Sequence, residues 1–225
     1  MTRGGVSAIV LAAGAGQRFG RPKQLALLRG RPLLEHALEA ASASTAEETV
    51  VVLGAHAEEV ELGVDLGGAK VVRCADWTRG QLASLRAGIA AVSLKASAAI
   101  VTLGDVPFLP PKACERLVAG RRPGACPLRA SYHGRPGHPV LIPCALFAAI
   151  QNAHPAGSPA ALLHEAGVET IECGDLGNPA DVDTQTQLAR LGQPIDPRFG
   201  PTVAAPHDFG LLARADPFDH QRTGR

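Results

Sequence analysis

The stretch VSAIVLAAGAGQRFGRPKQL, residues 6–25, decides the fold. Residues 6 to 11 form an apolar run of strand length that leads directly into glycines at 14, 16 and 20. A buried strand emptying into a glycine-rich turn is the opening of an α/β domain. The glycines permit φ > 0 and close backbone approach. Such a turn aims several backbone N–H groups at one anion. Arg18, Arg21 and Lys23 add positive charge in the same segment. The plainer alternative is a strand-to-helix turn with solvated basic side chains. The G-x-G-x-x-x-G spacing departs from the dinucleotide fingerprint, and no acidic residue closes the next strand to hold a ribose.

Outward from this turn, short apolar runs alternate with amphipathic stretches. Pro32 to Ala41 is expected as a helix, with Leu33, Leu34, Ala37, Leu38 and Ala41 on one face. Thr49 to Leu53 is a second strand, Lys70 to Arg73 a third and Ala98 to Leu103 a fourth. Helices are expected over Gln81 to Val92 and Pro111 to Val118, the latter with Pro at its start, where the missing N–H costs nothing. This alternation predicts a three-layer α/β/α domain on a mainly parallel sheet. After Gly120 a Gly- and Pro-rich excursion carries two apolar segments, around Ala130 and from Pro139 to Ile142, expected as a strand pair. Helices over Cys144 to Asn152, Ala160 to Ala166 and Thr184 to Leu191, and a strand over Val168 to Glu172, complete the pattern. Thr184 and Gln187 make a T-x-x-Q capping box. Residues 1–192 are expected to be one domain. Residues 193–225 are expected to be a Pro-rich C-terminal extension, which holds Phe199, Phe209 and Phe218.

Composition removes several classes. Lys plus Arg is 22 and Asp plus Glu is 21 in 225 residues, a net charge of +1. That balance gives no electrostatic footprint for DNA or RNA, so no nucleic-acid partner is expected. Hydrophobic residues make up 46%, and aromatics only 4%, so the core must be built from Ala, Val, Leu and Ile. No apolar run approaches the ~18 residues that span a bilayer, so no membrane partner is expected. The apolar start runs into a basic glycine loop rather than a cleavage region, so it reads as a core strand and not a leader. Cys74, Cys114, Cys126, Cys144 and Cys173 are odd in number and include no CxxC pair. That is neither a disulfide framework nor a zinc site, and a reducing cytoplasm fits it.

Two acidic elements carry candidate chemistry. Asp105 follows the fourth strand in GDVP, at the carboxyl end where ligands of open α/β sheets bind. A carboxylate there shares an edge with the glycine loop and suits Mg²⁺ held against phosphates. Its alternative is a turn Asp capping the next helix. Asp181 and Asp183 stand in DVDT before the last helix, where acidic residues are stabilising in any case.

The loop LAAGAGQRFGRPKQL resembles the signature L-A-A-G-x-G-x-R-x-G-x-x-K of the MobA/MocA-like nucleotidyltransferases. Three further blocks match in order: WTRGQLASLRAGI (77–89), VTLGDVPFL (101–109), and GRPGHPVLIP (134–143) with DVDTQTQL (181–188). The resemblance covers about residues 6 to 191 and is closest to molybdenum cofactor cytidylyltransferase. It implies a Rossmann-like fold of the nucleotide-diphospho-sugar transferase type and transfer of a nucleoside monophosphate from an NTP to a phosphorylated acceptor. It implies Mg²⁺ held by Asp105 and Asp183, with Asp181 the weaker candidate. Lys23 and Arg18 would neutralise phosphates beside Asp105. The backbone of Leu11, Ala12, Ala13, Gly14 and Gly16, with Gly80 and Ser84, would line the nucleoside pocket. Gly137, His138 and Pro139 would lie near the acceptor, with His138 in reach of a pterin phosphate; an ordinary turn His is the alternative. Trp77 is expected to pack rather than stack. Relatives with guanylyl activity tend to read L-A-G-G at the loop, so L-A-A-G implies CTP over GTP, through a methyl at Ala13 that narrows the base slot. The implied partners are the NTP, a molybdopterin-type acceptor and a molybdoenzyme or maturation protein.

One element departs from the pattern. Cytidylyltransferase-type relatives carry G-D-x-G-A-R, whereas residues 154–163 read HPAGSPAALL, with Ala156 and Ala160 in place of the Asp and the Arg. This leaves the acceptor open. It also keeps two alternatives in view: an NAD(P)-dependent oxidoreductase of the same fold and a non-catalytic nucleotide- or cofactor-binding protein.

Overall fold

The computed structural model describes residues 5–122, 126–177 and 179–192. Residues 193–225, expected to be a C-terminal extension, lie outside the described residues. The strands are β1 (Val6–Ala12), β2 (Leu27–Leu28), β3 (Arg31–Pro32), β4 (Glu48–Leu53), β5 (Lys70–Arg73), β6 (Ala98–Leu103), β7 (Leu128–Tyr132), β8 (Arg135–Pro143) and β9 (Glu169–Glu172). The helices are α1 (Leu33–Ser42), α2 (Ala57–Gly63), α3 (Gln81–Ala91), α4 (Pro111–Ala119), α5 (Phe147–Asn152), α6 (Pro159–Glu165) and α7 (Gln185–Gly192).

Seven strands make one sheet in the order β5-β4-β1-β6-β8-β7-β9. β1 pairs in parallel with β4 on one side and β6 on the other, and β4 with β5. The strand order therefore reverses direction at β1. The crevice at the carboxyl ends of β1 and β6 is the topological switch point, where open α/β sheets bind ligands. The expected strand pair is the antiparallel hairpin β7–β8, whose β8 pairs antiparallel with β6.

Every residue of β1 and of β6 is buried, because helices cover both faces. One core cluster lies between the sheet and α3, and a second between the sheet and α1. α1 buries Leu33, Leu34, Ala37, Leu38 and Ala41, the face read from the sequence. α3 buries Leu82, Ala83, Ser84, Leu85, Gly88 and Ile89, and it also packs against α5 and α6. It is therefore apolar on more than one side.

Differences from the sequence reading are local. Helix α2 has Val60 as its one fully buried residue, too sparse a pattern to show periodicity. The two-residue pair β2–β3 lies below the length at which alternation can be read. The expected helix over Cys144 to Asn152 is a 3₁₀ turn, Cys144–Leu146, followed by α5. The capping box forms: Gln187 N donates to Thr184 Oγ1 at 3.2 Å, and Thr184 N donates to Gln187 Oε1 at 2.8 Å. No helix among the described residues is long and apolar enough to cross a membrane.

Candidate active site

The register of the sheet sets the site. Leu11 is paired with Leu103, and Gly104 N donates to Leu11 O at 2.9 Å. The glycine loop after β1 and Asp105 after β6 therefore leave the sheet side by side. They border a cleft of about 490 Å³, within the range of small-molecule sites. Leu11, Ala12, Ala13, Gly14, Gly16, Arg18, Lys23, Gly80, Ser84, Asp105 and Asp183 all line it.

The loop is held in one shape. Gly16 has φ 64, and a Cβ there would lie 2.6 Å from Arg21 O, so both conformation and space demand glycine. Gln24, buried, donates from Nε2 to Ala12 O at 2.7 Å and to Gly14 O at 2.9 Å. These bonds tie the loop's carbonyls down behind it. Gly80 has φ 111 and caps the N-terminus of α3, which brings Gln81 and Ser84 to the cleft.

Charge gathers at one end. Lys23 Nζ donates to Asp105 Oδ2 and lies 3.5 Å from Asp183 Oδ1. Arg18 Nη2 is 3.0 Å from Asp183 Oδ2. Burial alone would lower the Lys23 ammonium. The charge and hydrogen bond of Asp105 outweigh that effect, with Asp183 and Asp181 adding, and hold it above its ordinary value. Lys23 is thus a cation at neutral pH. Val182 N donates to Asp105 O at 2.9 Å, which ties the segment before α7 to the end of β6 and brings the two carboxylates together.

His138, with Gly137 beside it, lies apart from this cleft. It is buried on β8 and lines a cavity of about 10 Å³, room for one water, with Arg129, Pro179 and Asp181. Leu103 and Asp181 border both cavities, so this one is a side chamber of the cleft. Burial and the Arg129 charge push His138 down to about 4 against a backbone hydrogen bond at Val101. The ring is neutral at pH 7, and its Nδ1 is buried without a partner. The expectation of a bond to a phosphate is revised accordingly. With one ring N–H spent on the backbone, the free nitrogen accepts a hydrogen bond and offers no positive charge.

Other corrections are smaller. Trp77 packs as expected, since a Cβ on Gly54 would meet its Cβ at 2.6 Å, but it also lines the cleft. Ala13 is nearly fully buried, lines the cleft, and has its methyl against Gly54. Gln24 and Gln81 were not singled out in the sequence. Their adjacency to Lys23 and Gly80 inside the matched blocks was the available signal.

The model of the MobA-like NTP transferase domain matches residues 8–170. The chain belongs to this family. It is similar to nicotine blue oxidoreductase of Paenarthrobacter nicotinovorans, with 36% identity over 197 residues, 83% of this chain and 96% of that protein. Among solved structures, Rv0371c from Mycobacterium tuberculosis H37Rv matches with a TM-score of 0.72 at 30% identity, over 85% of this chain and 98% of that one. The Rv0371C complex with manganese matches with a TM-score of 0.69 at 28% identity, over 83% of this chain and 97% of that one. The fold is that of the nucleotide-diphospho-sugar transferases, and the domain is a nucleotidyltransferase-like one.

Proposed function

We propose that the chain transfers a nucleoside monophosphate from an NTP, CTP in preference to GTP, to a phosphorylated acceptor of the molybdopterin type, with release of pyrophosphate. The observation that carries this reading is the convergence of Lys23, Arg18, Asp105 and Asp183 beside the glycine loop in one cleft. The backbone of Leu11 to Gly16, with Gly80 and Ser84, receives the nucleoside. Lys23 and Arg18 neutralise phosphate charge.

Asp105 and Asp183 are the residues that would hold Mg²⁺. They offer only oxygen donors, the preference of a hard cation. Asp105 Oδ1 is buried with no hydrogen-bond partner, which leaves a carboxylate oxygen for such an ion. Bound there, the ion would offset negative charge on the phosphate oxygens. An acceptor phosphate oxygen attacks the α-phosphorus in line, the bond from that phosphorus to the bridging oxygen breaks, and pyrophosphate leaves. Positioning and charge do the work, and no covalent nucleophile is required. Burial pushes the Cys114 thiol up to about 12, which keeps it out of the chemistry.

Where relatives present an Asp and an Arg, Ala156 is exposed and Ala160 half-buried at the start of α6. Ser158 Oγ caps that helix by accepting from Ala161 N at 3.3 Å. His138, Arg129 and Asp181 line the side chamber.

One observation favours a second reading. The relative with 36% identity over most of both chains is named an oxidoreductase. On that reading the cleft takes NADPH and the Lys23 cluster holds its phosphates. A thermal-shift panel of Mg-CTP, Mg-GTP, Mg-ATP and NADPH separates the two. A ligand at 100 times its Kd stabilises by about 2.7 kcal/mol. The proposal expects the largest shift with Mg-CTP and none with NADPH. The reverse order would replace it with the second reading.

A further inference from the structure

We propose that in the nucleotide-free chain the Lys23 ammonium occupies the divalent-metal seat between Asp105 and Asp183, and yields it when a nucleotide's phosphates arrive. Metal and nucleotide then bind as a coupled pair. This rests on the reading of Asp105 and Asp183 as metal ligands, but not on the identity of the acceptor or the base.

The ammonium donates to one oxygen of Asp105 and lies 3.5 Å from Asp183 Oδ1. Arg18 engages the other oxygen of Asp183 at 3.0 Å. Two carboxylates from distant parts of the chain are thus drawn onto one internal cation. All three side chains are less than one-fifth exposed, so screening by water is limited. A divalent ion sits about 2.0–2.1 Å from its carboxylate oxygens. It cannot share these oxygens with an ammonium already in hydrogen-bond contact, because the two cations would repel across a few ångströms. One of them must leave.

Lys23 is equipped to do so. Its backbone lies in a single 3₁₀ turn, and the neighbouring Gln24 amide fastens that turn to Ala12 and Gly14. The side chain is a flexible four-carbon stem with three rotatable donors. The loop beside it is where phosphates would offer a replacement partner. Asp105 Oδ1, buried and unpartnered, is the acceptor that the ammonium leaves unserved. A nucleotide that draws Lys23 away must raise metal affinity by the same factor as the metal raises nucleotide affinity.

The test is a Mn²⁺ titration of the full chain without nucleotide, read by the electron paramagnetic resonance signal of free Mn²⁺. Wild type should bind weakly. Lys23→Met should bind at least tenfold tighter, and Lys23→Arg, which keeps a cation, should stay near wild type. Lys23→Gln, neutral but able to hydrogen-bond Asp105, serves if Lys23→Met does not fold. Adding Asp183→Asn to the neutral variant should restore weak binding. Equal or weaker Mn²⁺ binding by the neutral variants would overturn the exchange while leaving the carboxylates as metal ligands. Tight binding that survives Asp183→Asn would place the seat elsewhere and overturn it too. No saturable binding in any variant would remove the metal assignment and this inference with it.

Discussion

The loop after β1 and the hairpin β7–β8 both flank the end of β6, yet they handle charge in opposite ways. On the loop side, Arg18, Lys23, Asp105 and Asp183 meet at a cleft open to solvent. These charges are available to exchange partners with a ligand. On the hairpin side, several polar groups are buried or already paired. Glu172 accepts from Ser131 Oγ at 2.8 Å and from the backbone N–H of His133, Gly134 and Gly174, which hold its carboxyl down to about 2. Arg116 is paired with both oxygens of Asp175. His138 is inside and neutral. The glycine-loop side is thus assembled around exchangeable charges, whereas the hairpin side is built as scaffold around a small chamber.

The sharpest way to break this comparison is at Asp105. Asp105→Ala should cost at least ~10³-fold in metal-dependent turnover, since loss of a metal ligand removes several kcal/mol of charge stabilisation. Circular dichroism should show the fold retained. Activity within tenfold of wild type would sink the metal assignment.

The hairpin side should reveal itself through pH and stability rather than turnover. His138 has a folded value of about 4 against an ordinary value of 6.5. As pH falls from 6.5 towards 4, the unfolded chain binds a proton that the folded ring refuses. Stability should therefore fall through this window and level off below it, by up to about 3 kcal/mol. Urea unfolding at pH 7, 5.5 and 4 measures the slope. His138→Gln should flatten it, and an unchanged slope would show that this ring is not the group responsible.

Within the loop, Lys23 and Arg21 provide an internal contrast. Arg21 is exposed and lies over the Phe19 ring at 5.8 Å, away from the carboxylates. Lys23→Ala should weaken Mg-CTP binding by roughly tenfold to a hundredfold, the scale of a lost charged hydrogen bond. Arg21→Ala should change it by less than threefold. Isothermal titration giving equal losses would contradict the loop geometry. Ala13→Gly tests base selection. Its methyl packs against Gly54, so glycine would let the loop recede and admit a purine. The ratio of kcat/KM for CTP to that for GTP should fall by about tenfold to two-hundredfold, the range of 1–3 kcal/mol of relieved overpacking. A ratio unmoved by the substitution would remove Ala13 from base selection.

The same contrast explains what could be read in advance. Strands β1 and β6 are legible because burial on both faces leaves continuous apolar runs, and the bounds of β5 and β6 match the sequence reading residue for residue. The loop side is legible because its residues lie in four short ordered blocks. α2 is not, since only Val60 of its seven residues is fully buried. The environment of His138 is not, since a His in a Gly- and Pro-rich stretch gives no local sign of burial under Arg129. The Lys23–Asp105 contact spans 82 residues of chain, and only the parallel pairing of β1 with β6 brings it about.

Nucleotidyl transfer is followed through the α-phosphate. The chain is incubated with α-³²P-labelled CTP, Mg²⁺ and the molybdenum pterin, and both labelled pterin and pyrophosphate are counted. The account predicts label on the pterin and pyrophosphate in equal amounts, with less from GTP at the same concentration. No transfer of label from any NTP, together with oxidation of NADPH by the same preparation, would contradict it.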